Sequence, residues 1–137
     1  MVRKVSRKEY APSKSIDFVK VSKNFAEGAE VAVDYEYYNA PGVLIIHAAI
    51  AIADAVTIKL SSAKCSGDSH YEIIKLISET APKNKATVTA LNHFEKLIDH
   101  KNIVSYHGEL YTKKDIAILM KHFDRFSIWA YGLLQVA

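Results

Sequence analysis

Hydrophobic residues recur at steps of three and four along most of the chain, which is the spacing of one face of an α-helix. Between Ser13 and about Tyr38 a single apolar stripe is predicted. A break follows at residues 39–42, Asn-Ala-Pro-Gly, where Asn39 can cap a second helix and Pro41 fits its first turn. The stripe of the first helix consists of Phe18, Val21, Phe25, Ala29, Ala32 and Tyr35.

The second predicted helix runs from this break to about Ala63 and is apolar on nearly every side. Such a helix is usually surrounded by other helices. Its longest apolar stretch, Val43 to Ala53, contains His47 and ends at Asp54. At that length we interpret it as a buried core helix and not as a membrane span.

A third helix is predicted after a polar loop at residues 65–68, Cys-Ser-Gly-Asp. Ser69 and Glu72 have the spacing of a capping box, in which each residue satisfies a free backbone N–H group of the other. The helix must stop before Pro82, because proline disfavours helical geometry in the residue that precedes it.

Two more helices complete the pattern. One begins near Lys85 and ends between His100 and Gly108. The last begins at Thr112, which has capping-box spacing with Asp115. We interpret the aromatic row of the last helix as core, and Trp129 as a packing residue and not a stacking platform. The apolar residues of this helix are Ile116, Leu119, Met120, Phe123, Phe126, Trp129 and Leu133.

These elements predict an all-α fold, an antiparallel four- to five-helix bundle in one domain at residues 13–137. With 137 residues, 50% hydrophobic and 24% charged, the composition is neither that of a disordered chain nor, at a net charge of +3, that of a strongly basic nucleic-acid binder. Residues 1–12, with Arg3, Lys4, Arg7 and Lys8, are interpreted as a poorly ordered basic tail. The alternative is an arm that contacts phosphates.

The lone Cys65 and the absence of a signal-peptide pattern favour a cytoplasmic protein that does not associate with a membrane. No metal site and no cofactor are predicted. His93, His100 and His107 recur every seven residues, about two helical turns, whereas two imidazoles on one ion need about one turn between them.

The segment from Lys101 to Gly108 is the best candidate for chemistry. It brings together a cation, the amide of Asn102, the hydroxyl of Ser105 and the imidazole of His107. Gly108 is typical of a helix C-terminus, where the helix dipole favours a protonated imidazole suited to proton transfer. The alternative is that His107 only caps the helix.

This segment resembles the Arg-x4–6-His motif of HEPN domains, with Lys101-Asn102, four residues, and then His107-Gly108. His47-Ala48-Ala49 with Lys59 downstream is similar to the alanine-rich central helix of that family. Ser69-His70-Tyr71 is similar to the opening of its next helix. The resemblance covers about 100 residues.

The resemblance implies a helical bundle that forms homodimers and acts as a metal-independent endoribonuclease in toxin–antitoxin or other defence systems. An antitoxin or a nucleotidyltransferase would be its partner. His107 would act as general acid or base and Asn102 would orient the phosphate or the histidine. Lys101 would replace the arginine of the motif, and Ser105 and Tyr106 would contact substrate. The alternative is a catalytically degenerate member that binds a nucleotide, RNA or a partner protein.

The spacing within the motif adds a geometric constraint. On a straight helix, Lys101 and His107 would be about 120° apart around the axis and about 9 Å apart along it. Either the helix bends or ends between them, or the site combines the two residues from two subunits across a two-fold axis.

Overall fold

The computed structural model describes residues 6–67 and 69–135, and the chain is mostly helical, as the hydrophobic pattern predicts. Two short strands and a 3-10 turn at Pro12–Lys14 add to the helices. The strands are β1 (Arg7–Glu9) and β2 (Ala63–Cys65). The α-helices are α1 (Ser15–Asp34), α2 (Asn39–Ser61), α3 (Tyr71–Thr80), α4 (Lys85–Asp99), α5 (Lys101–Tyr106) and α6 (Lys113–Leu134).

The centre of the fold is α2, which contacts each of the other five helices. Ile45, Ile46, Ile52 and Ile58 are almost completely buried, which confirms the prediction of a helix packed on all sides. By length and composition alone α2 could cross a bilayer, but 72% of its most apolar window is buried inside the protein. Burial of this extent is typical of a core helix.

The predicted apolar stripe of α1 is only partly correct. Of its residues Ala29 is buried, whereas Val21 is 45% and Tyr35 is 71% exposed. Val19, which the predicted stripe did not include, is buried as well. Tyr35 lies beyond the last helical residue, Asp34, and its side chain therefore no longer follows the face of the helix.

Two of the helix starts are fixed by side-chain caps. The capping box of α6 is confirmed: the Thr112 hydroxyl accepts from the backbone N–H of Asp115, and the Asp115 carboxylate accepts from that of Thr112. At α4, Asn84 accepts from the N–H of Thr87. The capping box predicted at Ser69 is wrong, because α3 begins two residues later and no side chain caps it.

The predicted basic tail is wrong for residues 7–9, which form β1. This strand pairs antiparallel with β2, with Arg7 opposite Cys65 and Glu9 opposite Ala63. Arg7 also forms an ion pair with Glu79 of α3, at 2.8 Å. Arg3 and Lys4 of the predicted tail lie outside the described residues.

The strand β2 replaces the end of the predicted second helix and the start of the predicted loop. Ser62 has a positive φ of 57°, and this left-handed turn ends α2 at Ser61. After this turn the backbone extends as β2, and β1 pairs with one edge of that strand. Asp68, the last residue of the predicted loop, lies outside the described residues.

Candidate functional site

The segment singled out in the sequence forms its own short helix, α5. The predicted fourth helix is divided at His100, whose N–H bonds to the carbonyl of Leu97 and closes a tight last turn. At the other end, His107 is the C-cap residue of α5 and Gly108 has a φ of 68°. The predicted helix end at Gly108 is confirmed, because glycine adopts this left-handed geometry without steric cost.

Lys101 and Asn102 lie together at the start of α5 and line one pocket of about 340 Å³. Its other walls are Ser69, His70 and Tyr71 at the start of α3, and Ile98 and Asp99 at the end of α4. No described residue forms an ion pair with Lys101. The pocket therefore combines an unpaired ammonium group, an amide, an imidazole, two hydroxyls and the carboxylate of Asp99, which accepts a hydrogen bond from Tyr71.

His70 is the residue of this pocket that the sequence analysis did not assign to the site. Burial lowers the pKa of its imidazole, and the charges of Lys101, His47 and Lys64 lower it further. At neutral pH the ring is therefore uncharged and able to accept a proton. The sequence signal was Ser69-His70-Tyr71 itself, but nothing in the sequence shows that α3 and α5 begin side by side.

His47 of α2 belongs to the same electrostatic neighbourhood. Neighbouring side chains shield its ring, which lies 6.2 Å from that of Phe25, and this shielding lowers its pKa although the residue remains exposed overall. The charge of Lys101 lowers the pKa of His47 further. The positive charge of Lys101 thus acts on two imidazoles, those of His47 and His70, that are neutral at neutral pH.

Ser105, Tyr106 and His107 lie at the opposite end of α5 and are exposed, Tyr106 by 79%. None of the three lines the Lys101 pocket. The His107 imidazole makes no hydrogen bond with another described residue. The bend at His100 precedes both motif residues, so it does not bring Lys101 and His107 together within one subunit.

Asn39 at the start of α2 holds the end of α5 in place. Its amide donates to the carbonyl oxygens of Val104 (3.1 Å) and Glu109 (2.7 Å), and its oxygen accepts from the N–H of Tyr111 (2.9 Å). The predicted capping role of Asn39 is wrong, since no side chain caps α2. The side chain instead fixes the loop that carries His107.

Replacing Asn39 by alanine should lower the free energy of unfolding by about 2–4 kcal/mol, because three hydrogen bonds of about 1 kcal/mol each are lost and their partners are left unpaired. Urea denaturation measures this change. Asn92→Ala, on the exposed surface of α4, is the matched control and should change it by less than about 0.5 kcal/mol. Equal stabilities of the two variants would contradict the role of Asn39.

Close packing against α2 and two further hydrogen bonds fix α5 and the residues that precede it. Gly42 allows α2 to approach α5, since a Cβ atom there would lie 2.8 Å from a methyl group of Val104. The Tyr71 hydroxyl donates to the Asp99 carboxylate at 2.6 Å, and this bond is the main reason that the pKa of Tyr71 rises to about 12. His100 Nδ1 lies 2.6 Å from the hydroxyl of Tyr111.

In the part of the chain that the structure describes, no three His, Cys, Asp or Glu side chains are grouped so that they could hold a metal ion. No protein-family model, curated protein or solved structure matches this chain significantly.

Proposed function

We propose that this protein is a HEPN-like helical bundle that binds RNA and cleaves it as a homodimer without a metal ion. The observation that carries the proposal is the placement of the motif on one short helix. Lys101 and Asn102 line a pocket with His70, and His107 is exposed at the other end of the helix, where a second subunit can reach it.

The proposed chemistry needs only the side chains of this neighbourhood. A ribose 2′-hydroxyl attacks the adjacent phosphorus, the bond from phosphorus to the 5′-oxygen breaks, and a 2′,3′-cyclic phosphate and a 5′-hydroxyl are formed. One imidazole accepts the 2′-hydroxyl proton and another group donates a proton to the leaving oxygen. Lys101 neutralises the phosphate and Asn102 orients it.

The pocket suggests how the proton transfers are divided. His70 lies beside Lys101 and is neutral near pH 7, so it is suited to accept the 2′-hydroxyl proton. His107 of the partner subunit would donate to the leaving oxygen. Ser105 and Tyr106, exposed on the same turn, would contact the RNA strand next to the cleaved bond.

A second function, binding of a nucleotide or RNA without cleavage, is favoured by one observation. The cation in the pocket is lysine, which offers a compact charge and not the planar fork with which arginine holds two phosphate oxygens. At about 340 Å³ the pocket is within the range of small-molecule sites. For either function we propose an antitoxin or nucleotidyltransferase partner, as the resemblance implies, and a cytoplasmic location, as the lone cysteine and the lack of a signal-peptide pattern favour.

The test is cleavage of a structured RNA in the presence of excess chelator. Wild-type protein should cleave, and His107→Ala and His70→Ala should each lower the rate by about 10²–10⁴-fold, the usual contribution of a proton-transfer group. Lys114→Ala, which removes an exposed lysine of α6, is the control and should retain wild-type activity.

Two outcomes would contradict this assignment. Equal cleavage by the wild type and the histidine variants would identify a contaminant. No cleavage by the wild type, together with RNA binding that Lys101→Ala abolishes, would replace the ribonuclease with the binding function.

A further inference from the structure

A second cleft, about 560 Å³ in volume, lies between α4 and α6. Lys85, Thr89 and His93 of α4 face Arg125, Ile128 and Trp129 of α6 across it, and two alanines of α4 leave it open. None of its lining residues belongs to the Lys101 pocket or to the Lys101–Gly108 segment. The cleft is thus a separate feature of the surface.

The lining of the cleft has a cationic part and an apolar part. Lys85 and Arg125 are exposed and form no ion pair with a described residue, and no carboxylate lines the cleft. Ile128 is 72% exposed, and the half-buried Trp129 beside it packs against Phe126, as predicted for a packing residue, and also lines the cleft. A ligand that complements both parts carries an anionic group and an apolar group.

The histidine of the cleft belongs to a close pair. Nδ1 of His93 lies 2.9 Å from Nδ1 of His122, so one ring donates a hydrogen bond and the other accepts it. Burial lowers the pKa of both rings, and so do the surrounding charges. Those that act on His93 are Arg125, Lys121 and Lys96, and those that act on His122 are His93, Lys96, Lys121 and His100. All of these groups are cationic or become so, and an anion in the cleft would offset their repulsion.

We propose that the cleft between α4 and α6 binds a nucleoside monophosphate, with the phosphate held by Arg125, His93 and Lys85 and the base packed against Trp129 and Ile128. Charge-assisted hydrogen bonds from guanidinium and ammonium groups are the usual means of holding a phosphate, and the neutral His93 ring can add a hydrogen bond. Stacking on an aromatic side chain contributes about 1–3 kcal/mol per base and tolerates any base, so the site selects the class of ligand and not one nucleobase.

Trp129 provides a direct measurement, because it is the only tryptophan of the chain. Its fluorescence is recorded during titration with AMP, adenosine and inorganic phosphate. AMP should give a saturable change and bind at least about tenfold more tightly than adenosine or phosphate, since only AMP occupies both parts of the cleft.

Two variants separate this site from the Lys101 pocket. Arg125→Gln should weaken AMP binding by about tenfold or more, whereas Lys114→Gln and Lys101→Ala should leave it unchanged. Arg125 is exposed and forms no ion pair with a described residue, so we expect Arg125→Gln to leave the fold intact, and thermal melting of each variant checks this.

A lack of saturable change with AMP would overturn the proposal, and so would equal affinities of the wild type and Arg125→Gln. Binding that Lys101→Ala abolishes would assign the nucleotide to the other pocket. Because the RNA-cleavage assay depends on residues outside this cleft, either proposal can fail while the other stands.

Discussion

A mixture of equal amounts of Lys101→Ala and His107→Ala subunits is expected to regain about a quarter of the proposed ribonuclease activity of the wild type, although each variant alone should be almost inactive. The expectation follows from α5, which places the two residues at opposite ends of one short helix. If the working site combines His107 of one subunit with Lys101 of its partner, each single variant loses both sites of the dimer.

The expected value comes from counting sites. In a mixed dimer one site receives both alanines and the other keeps both native residues. Random pairing makes about half of the dimers mixed, each with one of two sites intact, which leaves about a quarter of the wild-type sites. Subunits are exchanged by unfolding the mixture in urea and refolding it, and cleavage is then measured in chelator.

A matched control makes the result specific. The double variant Lys101→Ala/His107→Ala is refolded with Lys101→Ala in the same way. Every site of the resulting dimers lacks Lys101, so this mixture should show no recovery of activity. No recovery in the first mixture, or a strict monomer in sedimentation equilibrium, would contradict the shared site.

The second large effect concerns Asp54, a carboxylate of α2 that is only 4% exposed. Its Oδ1 has no hydrogen-bond partner among the described residues, and its Oδ2 lies 3.5 Å from the ammonium group of Lys64. Burial raises the pKa of Asp54 from 3.8 to about 6, and Lys64 offsets only part of this increase. Ionised Asp54 therefore destabilises the fold near neutral pH.

The direction of the pH dependence follows from the raised pKa. The contribution of protonated Asp54 to the free energy of unfolding is fully present below pH 3.8 and is lost as pH rises through about 6. The rise in pKa from 3.8 to about 6 corresponds to a loss of about 3 kcal/mol. Relative to wild type, Asp54→Asn should therefore become more stable by about 2 kcal/mol between pH 4.5 and pH 7.5. Urea denaturation at a series of pH values measures the difference, in which the contributions of the histidines cancel.

Asp17→Asn is a control of opposite sign. The hydrogen bond and charge of Lys14 lower the pKa of the Asp17 carboxyl, so its contribution to stability is present above the ordinary pKa and is lost as pH falls. Its substitution should not become more favourable as pH rises. If the free energies of unfolding of wild type and Asp54→Asn changed in parallel with pH, the raised pKa of Asp54 would be contradicted.

The helical part of the fold could be predicted because it depends on local patterns. The all-round apolar character of α2 indicates burial whatever covers it, and the Thr112–Asp115 capping box is a contact between residues three apart. The pairing of β1 with β2 could not be predicted, since three residues near the start of the chain pair with three residues more than fifty positions away. Neither segment has a strand pattern of its own.

The candidate site shows the same division. Lys101, Asn102 and His107 are recognisable from composition and spacing, and so is the glycine that ends α5. The sequence also determines that Lys101 and His107 lie on different faces of a straight helix. Only the tertiary structure shows that His70 lies beside Lys101 and that Asn39 fixes the loop after α5. His70 and Lys101 are 31 positions apart in the sequence, and the partners of Asn39 are 65 to 72 positions away from it. Periodicity reports which face of a helix is buried, whereas the packing of the helices around α2 decides which side chains meet.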